Sequence, residues 1–315
     1  MSAPLETPLL MEKPGRPPAN RSLLRGIEVL RAFRPGSDLL GNGELAERTG
    51  LAAATVTRLT QTLVSAGMLQ LDRPQRAYRL APAVLSLAHA MRSGSHVLAL
   101  AAPLMREAAE SGRINVGLAA ADRDEMVYLE SIRYNRRVAL RNVVSGQRVP
   151  MELTSLGRAY LSTLTEAQRK PLMRIFERRN AANWPALRSA IHKAVEQVGS
   201  RDCCSASWQP EVMAVATPLP TTEGVYVLNV SVSSAAPAAQ LEKTLVPQLR
   251  AIKREGVGVL EEAGLAEGRG LIAARPKGPF ALGSSKGSRS VGMRWLRQAQ
   301  PGRSGAQHAW GWGGA

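Results

Sequence analysis

Apolar positions recur along this chain with two periods, and the change of period divides it. From Arg21 to Phe33, Leu23, Leu24, Ile27, Leu30 and Phe33 keep helical spacing, and Pro35-Gly36-Ser37 ends the run. Gly43 to Leu80 then reads GELAERTGLAAATVTRLTQTLVSAGMLQLDRPQRAYRL. A short helix carrying Leu45 and Ala46 runs into Thr49-Gly50-Leu51, where glycine suits a left-handed exit from the helix. In the next helix Val56, Leu59, Thr60 and Leu63 fall at i, i+3, i+4 and i+7 and share one face. Gly67 stops it. Leu69-Gln70-Leu71 and Ala77-Tyr78-Arg79-Leu80 then alternate on either side of Arg73-Pro74-Gln75-Arg76, which predicts a hairpin. Helix, tight turn, helix and hairpin in that order form a winged helix-turn-helix, a unit that places one helix in a DNA major groove.

Beyond the hairpin, Pro82 opens a helix with Val84, Leu85, Ala88 and Met91 as its stripe, up to Gly94. A second helix, from about Ser95 to Ser111, carries Val97, Leu98, Ala101, Leu104, Met105 and Ala108. These two read as linker helices, of a kind that pairs with its copy in a dimer. From Ile114 the period shortens. Strands are predicted at Ile114–Ala121, Met126–Ile132 and Val138–Val144, with a turn at Asp122-Arg123-Asp124. Helices follow at Thr154–Leu164, with Glu152 or Thr154 as N-cap, then at Glu166–Arg178 and Trp184–Val198. Strands Val212–Thr217 and Val225–Val232 and a closing helix, Pro237–Ala263, complete an α+β domain in which helices cover one sheet. The expected organisation is a leader (1–20), the winged helix-turn-helix (21–81), linker helices (82–111), a small-molecule domain (112–266) and a basic tail (267–315).

The face of the second helix opposite its apolar stripe carries Ala54, Thr57, Arg58, Gln61 and Ser65. Small residues permit close approach to a groove, and a few donors serve base edges. Ala54, Thr55, Thr57, Arg58 and Gln61 are therefore the expected DNA contacts on this helix. Arg73 and Arg76 at the hairpin tip, with Arg79 on its edge, suit phosphates or a narrow minor groove. An ordinary helical hairpin in a core is the alternative, and the wing following at the expected distance argues against it.

The net charge of +16 and pI near 10.9 agree with a polyanionic partner. Eight Lys or Arg between Arg269 and Arg303 supply much of it, so the whole-chain value overstates the case. Adjacent Cys203 and Cys204 are poor disulfide partners, which fits a reducing cytoplasm. The N-terminus lacks the basic and apolar regions of a signal peptide, and no apolar run reaches membrane-span length. His89, His96, His192 and His308 are scattered, without metal-ligand spacing. Neither a Gly-rich phosphate loop after a strand nor a G-x-S-x-G elbow occurs. Asp122, Asp124 and Glu125 lie together on a turn, where a solvated acidic loop is the default. No catalytic residue, metal site or cofactor is expected.

Several segments carry a family resemblance. They are Ser22-Leu23-Leu24-Arg25-Gly26-Ile27-Glu28-Val29-Leu30, then Leu45-Ala46-Glu47-Arg48-Thr49-Gly50-Leu51 with Thr55-Val56-Thr57-Arg58-Leu59. Gly146-Gln147-Arg148-Val149-Pro150-Met151 leads into Thr154-Ser155-Leu156-Gly157-Arg158-Ala159, and Ala214-Val215-Ala216-Thr217-Pro218-Leu219 precedes Val230-Ser231-Val232-Ser233. From Arg21 to about Ala266 the chain resembles the IclR-type (isocitrate lyase regulator) family of bacterial transcription factors. The resemblance implies a cytoplasmic homodimer or homotetramer whose winged helix reads a double-stranded operator. It also implies a C-terminal GAF-like α/β domain that binds a small effector, often an organic or aromatic acid. Carried over residue by residue, the effector site is Met151, Thr154, Gly157, Ala214, Ser231 and Ser233. Serines two apart on a strand face the same side. The rival readings are a DNA-binding regulator controlled by a protein partner, and an enzyme.

Two features depart from the family pattern. Where an acidic cluster usually precedes the Ala-Val-Ala-Thr-Pro stretch, this chain has Asp202-Cys203-Cys204-Ser205-Ala206-Ser207-Trp208. After Ala266 comes a Gly-, Arg- and Ser-rich tail holding three of the five Trp residues, with no periodicity. Its composition predicts disorder. It reads either as a basic arm that adds non-specific DNA affinity or as the product of a shifted reading frame.

Overall fold

A computed structural model describes residues 19–134, 144–209 and 212–266. Most of the expected strand at Val138–Val144, and the tail after Ala266, lie outside them. The N-terminal portion comprises helices α1 (Arg21–Arg31), α2 (Asn42–Thr49) and α3 (Ala53–Ser65) and strands β1 (Leu40–Gly41), β2 (Leu69–Asp72) and β3 (Ala77–Leu80), with sheet order β1-β3-β2, the expected winged helix-turn-helix. Asn20 caps α1 by accepting from the Leu23 amide at 3.1 Å. Gly50 ends α2 in the left-handed region at φ 68°, as the turn requires. Val29, Phe33, Leu40, Leu45, Val56, Leu69 and Tyr78 form the small core, with Leu59 and Leu63 partly buried against it.

Helix α1 differs from its apolar pattern. It buries Gly26 and Val29, while Leu23, Leu24 and Ile27 remain exposed. A core this small covers one face of α1 and leaves the flanking leucines uncovered. Helix α4 (Pro82–Ser93) goes further and buries no residue: Leu85, Leu87 and Met91 are all exposed. Helix α5 (His96–Gly112) buries Val97, Leu98, Ala101, Met105 and Ala109 against the larger sheet.

That sheet has the order β6-β5-β4-β9-β8-β7, every neighbouring pair antiparallel. Its strands are β4 (Asn115–Asp122), β5 (Glu125–Ile132), β6 (Arg148–Pro150), β7 (Cys204–Ala206), β8 (Val212–Thr221) and β9 (Gly224–Ser233). Helices α6 (Ser155–Ser162), α7 (Glu166–Arg179) and α8 (Trp184–Arg201) interrupt the strands, and α9 (Ala238–Glu262) closes the fold. Val116, Leu118, Val215, Leu228 and Val230 face α5 and α9, and Ala119, Tyr128, Ala216 and Val227 face α6 to α8. Two-sided burial explains why β8 and β9 read as near-continuous apolar runs. Strands β1, β6 and β7 have two or three residues each, too few for a periodicity to register.

Gly157 shows how closely the loop before α6 packs. A Cβ there would lie 2.0 Å from the Met151 carbonyl oxygen and 2.3 Å from its Cα, both backbone atoms that cannot swing away. Gly157→Ala is expected to cost about 3 kcal/mol of stability, read as a lower denaturation midpoint. An unchanged midpoint would show that the loop can give. Cys203 and Cys204 are both buried, on opposite faces of the sheet. Burial raises both thiols, and it pushes Cys204 up to about 12. Alkylation of the folded protein near pH 8 is expected to be negligible, with both thiols labelled in denaturant. Rapid labelling of the folded chain would contradict this.

Candidate DNA-reading surface and effector site

Helix α3 presents Ala54, Arg58 and Gln61 to solvent, with Thr55 and Thr57 half-buried. Its inward face carries the fully buried Val56 and Thr60, as the spacing predicts. The Thr57 hydroxyl is already engaged: it donates to the Ala53 carbonyl at 3.0 Å and accepts from Asn42 Nδ2 at 3.4 Å. Arg58 and Gln61 are therefore the longer and freer arms of this face. No side chain caps the N-terminus of α3, so its first amides stay available to an anion.

On the wing, Arg73 and Arg76 are exposed at the tip, where Arg76 adopts φ 48°. Arg79 is bound within the wing by an ion pair with Asp72. Asp72 also accepts from the Gln75 amide at 3.1 Å and so shapes the turn. Surface grooves of about 860 and 650 Å³ flank this wing, and both lie on the reader, away from the large sheet.

The six residues carried over for the effector separate into two groups. Met151, Thr154 and Gly157 are buried at the start of α6. Thr154 is the N-cap: its hydroxyl accepts from the Gly157 amide at 3.2 Å and donates to the Pro150 carbonyl at 2.9 Å. The capping leaves that hydroxyl and that amide committed. Ala214, Ser231 and Ser233 lie on the α6–α8 face of the sheet, alternating with Met213, Val215, Val230 and Val232, which serve the opposite core. Ser231 pairs in register with Ala214 on one side and Asn115 on the other, is half-buried, and leads to the exposed Ser233.

The same face holds polar groups that the serine spacing did not reveal. Asn229, two residues before Ser231, is 4% exposed, and its Oδ1 has no hydrogen-bond partner among the described residues. Its registered neighbours are Gly117 and Ala216. A Cβ on Gly117 would come within 2.5 Å of both Asn229 Oδ1 and the Tyr128 ring, so only glycine leaves room for that pair. Burial pushes the Tyr128 phenol up to about 12, with Asn229 and the Arg133 guanidinium pulling the other way. Extending the Ser231–Ser233 alternation by one step would have found Asn229. Gly117 and Tyr128 become visible only once the strands are paired.

The acidic turn between β4 and β5 is not the solvated loop its composition suggests. Arg148 binds Glu125 at 2.7 Å and Asp122 at 2.6 Å, and Arg179 pairs with Asp124. Three further bridges reach helix α1 and the segment just after it: Arg31 to Asp122 at 2.5 Å, Arg34, beyond the helix, to Glu125 through two bonds of 2.8 and 3.1 Å, and Arg123 to Glu28 through two bonds, one of them 2.7 Å. Burial raises Asp122, but the Arg148 and Arg31 guanidiniums more than offset it and hold the carboxyl below its ordinary range. The Arg123 hydrogen bond likewise lowers Glu28. Arginine-rich surroundings, distant in sequence, explain why a local reading missed this pairing. Deeper in, Glu152 is fully buried, and its Oε1 accepts from Arg179 at 3.2 Å and Asn180 at 3.1 Å. Asp202, at the end of α8, is paired with Lys253 at 2.7 Å.

No group of three or more His, Cys, Asp or Glu able to hold a metal occurs among the described residues. None of the described helices is long and apolar enough to cross a membrane.

Residues 22–73 match the IclR helix-turn-helix domain, and residues 89–257 match the bacterial transcriptional regulator IclR C-terminal domain. The chain is 32% identical over 177 residues to the HTH-type transcriptional regulator TsaQ1/TsaQ2 of Comamonas testosteroni, a match that covers 56% of this chain and 63% of that protein. An IclR family transcriptional regulator from Brucella abortus superposes with a TM-score of 0.72 at 33% identity, covering 82% of this chain and 97% of the other. An IclR homologue from Microbacterium hydrocarbonoxydans, crystallised with 4-hydroxybenzoate, shares the fold at a TM-score of 0.52 and 19% identity, covering 74% of this chain and 98% of its own. With its reader and its sheet domain both matched, in the same order, this chain belongs to the IclR family of bacterial transcriptional regulators.

Proposed function

We propose that this protein is an operator-binding regulator of the cytoplasm whose DNA affinity responds to a small, hydroxyl-bearing organic acid. The DNA half of the proposal rests on α3, which offers small residues, one arginine and one glutamine on an exposed face and no acidic side chain. That is the chemistry of close approach with a few base-edge donors. Arg73 and Arg76 add phosphate or minor-groove contacts from the wing. The exposed Leu23, Leu24 and Ile27 of α1, and Leu85, Leu87 and Met91 of α4, form apolar surface suited to a second copy. A homodimer or a pair of dimers would then present two readers to half-sites about 34 Å apart.

The effector half rests on one observation: a buried carboxamide oxygen without a partner, on the sheet face that also carries the serines. Such an acceptor calls for a donor from a ligand. Ser231 and Ser233 offer hydroxyls for a carboxylate, and one two-residue step along a strand spans about 6.8 Å. A compact acid with a hydroxyl at its far end fits that span. The 4-hydroxybenzoate bound by the Microbacterium homologue is a molecule of this kind. Control by a protein partner is the second reading, favoured by the exposed apolar face of α4.

Mobility shift of the full chain on its own upstream intergenic DNA, with excess non-specific competitor, tests the first half. Arg58→Ala is expected to weaken the competitor-resistant complex by about 1–3 kcal/mol. Unchanged affinity would remove Arg58 from the reading face. Thermal unfolding with 4-hydroxybenzoate and with benzoate tests the second. A ligand at about 100 times its Kd adds about 2.7 kcal/mol of apparent stability. The hydroxylated acid is expected to stabilise the protein more than benzoate, Asn229→Ala to erase that difference, and Ser231→Ala to weaken both. If neither acid shifts the transition while the DNA complex still forms, the acid reading fails and the protein-partner reading stands.

A further inference from the structure

The apolar core of the DNA reader shares no residue with either core of the large sheet domain. Ion pairs span the gap between them. Glu28 and Arg31, in the last turn of α1, and Arg34 just beyond it meet Arg123, Asp122 and Glu125 on the β4–β5 turn, more than ninety residues away in sequence. Two of these three contacts are two-bonded forks, which fix orientation as well as distance.

The turn bears a conformational cost for this arrangement. Arg123 sits in the left-handed region at φ 61°, where a hairpin turn favours glycine or asparagine. An arginine is of no use to the turn itself. Its guanidinium is what reaches Glu28. Arg148 belongs to neither α1 nor the turn, yet it binds the two carboxylates that Arg31 and Arg34 also use. It lies on β6, three residues before Met151 in the loop that packs against α6. Arg179 ties the neighbouring Asp124 to the buried Glu152 of that same loop.

We propose that the β4–β5 turn is a docking point for the DNA reader, with Glu28 and Arg123 as positioning residues and Arg148 as the shared cation that links the reader's pose to the loop before α6. A displacement of that loop moves Arg148, redistributes the carboxylates it shares with α1, and shifts the reader. Only the Arg148 step rests on the effector reading. The Glu28–Arg123 contact stands without it.

The test uses the full chain and its own upstream intergenic DNA, with non-specific competitor. Arg123→Gly relieves the turn and removes the bridge, so a lost fold cannot explain its effect. Glu28→Arg places like charges together. The exchange Glu28→Arg with Arg123→Glu rebuilds the pair in reverse and preserves net charge. Each single change is expected to alter operator affinity by about five-fold or more, and to separate reader unfolding from sheet-domain unfolding in calorimetry. The exchange should return affinity to within about two-fold of the unaltered chain and restore a single transition. Single changes that leave affinity and unfolding as they were, or an exchange that restores neither, would overturn the proposal. Should the unaltered chain form no specific complex, the DNA-binding reading is what fails, and calorimetry still decides the docking point.

Discussion

Covering both faces of the central strands is the constraint on which the rest of the structure depends. With α5 and α9 on one side and α6 to α8 on the other, β4, β9 and β8 have no solvent face along most of their length. A polar side chain placed there must be paired or be left to lose its hydration. Thr217 meets the constraint by donating to the Asp202 carbonyl at 2.6 Å and accepting from Lys253 at 3.1 Å. Asn229 does not, because its Oδ1 is left over. Four residues on, at Ser233, the same strand face is open to solvent. One strand thus runs from sealed core to accessible edge within three outward-facing positions, and the candidate effector surface lies along that gradient.

The sequence was most legible where structure is local. The α3 stripe, the Gly50 turn, the wing, and the helices starting near Glu166 and Trp184 follow from spacing and caps over a few residues each. It was least legible where a second element decides the outcome. The apolar stripes of α1 and α4 announce helices correctly, but nothing in one chain says which of their faces stays uncovered. The acidic turn is similar. Asp122 and Glu125 look solvated until the fold brings Arg31, Arg34 and Arg148 to them. Of the effector residues, Ser231 and Ser233 were readable as one strand face, whereas Gly117 and Tyr128 join Asn229 only through cross-strand register.

The loop before α6 shows how one short segment serves several demands. Thr154 caps the helix, Gly157 lets the Met151 backbone lie against it, and Glu152 buries its carboxyl group between them. A buried carboxylate is tolerated only with partners, and Arg179 of α7 and its C-cap Asn180 supply them to Oε1, while Oε2 has no hydrogen-bond partner among the described residues. Moving this loop would disturb packing and electrostatics together, and regular strand or helix next to it offers no comparable joint.

The character of the contact between reader and sheet domain matters as much as its existence. Partly exposed ion pairs contribute about 0–1 kcal/mol each, so three of them supply at most about 3 kcal/mol, the upper end of the range over which allosteric coupling usually operates. An apolar interface stabilises by about 25 cal/mol for each Å² buried, and a few hundred Å² would exceed what a small ligand can differentially supply. A ligand shifts an equilibrium only by the difference in its affinity for the two states. A reader fixed to the sheet domain by a hydrophobic seam would therefore stay in place whatever was bound. Glu28, Arg31 and Arg34 hold it with contacts weak enough to exchange and directional enough to define a pose, which is the balance a ligand-responsive regulator needs.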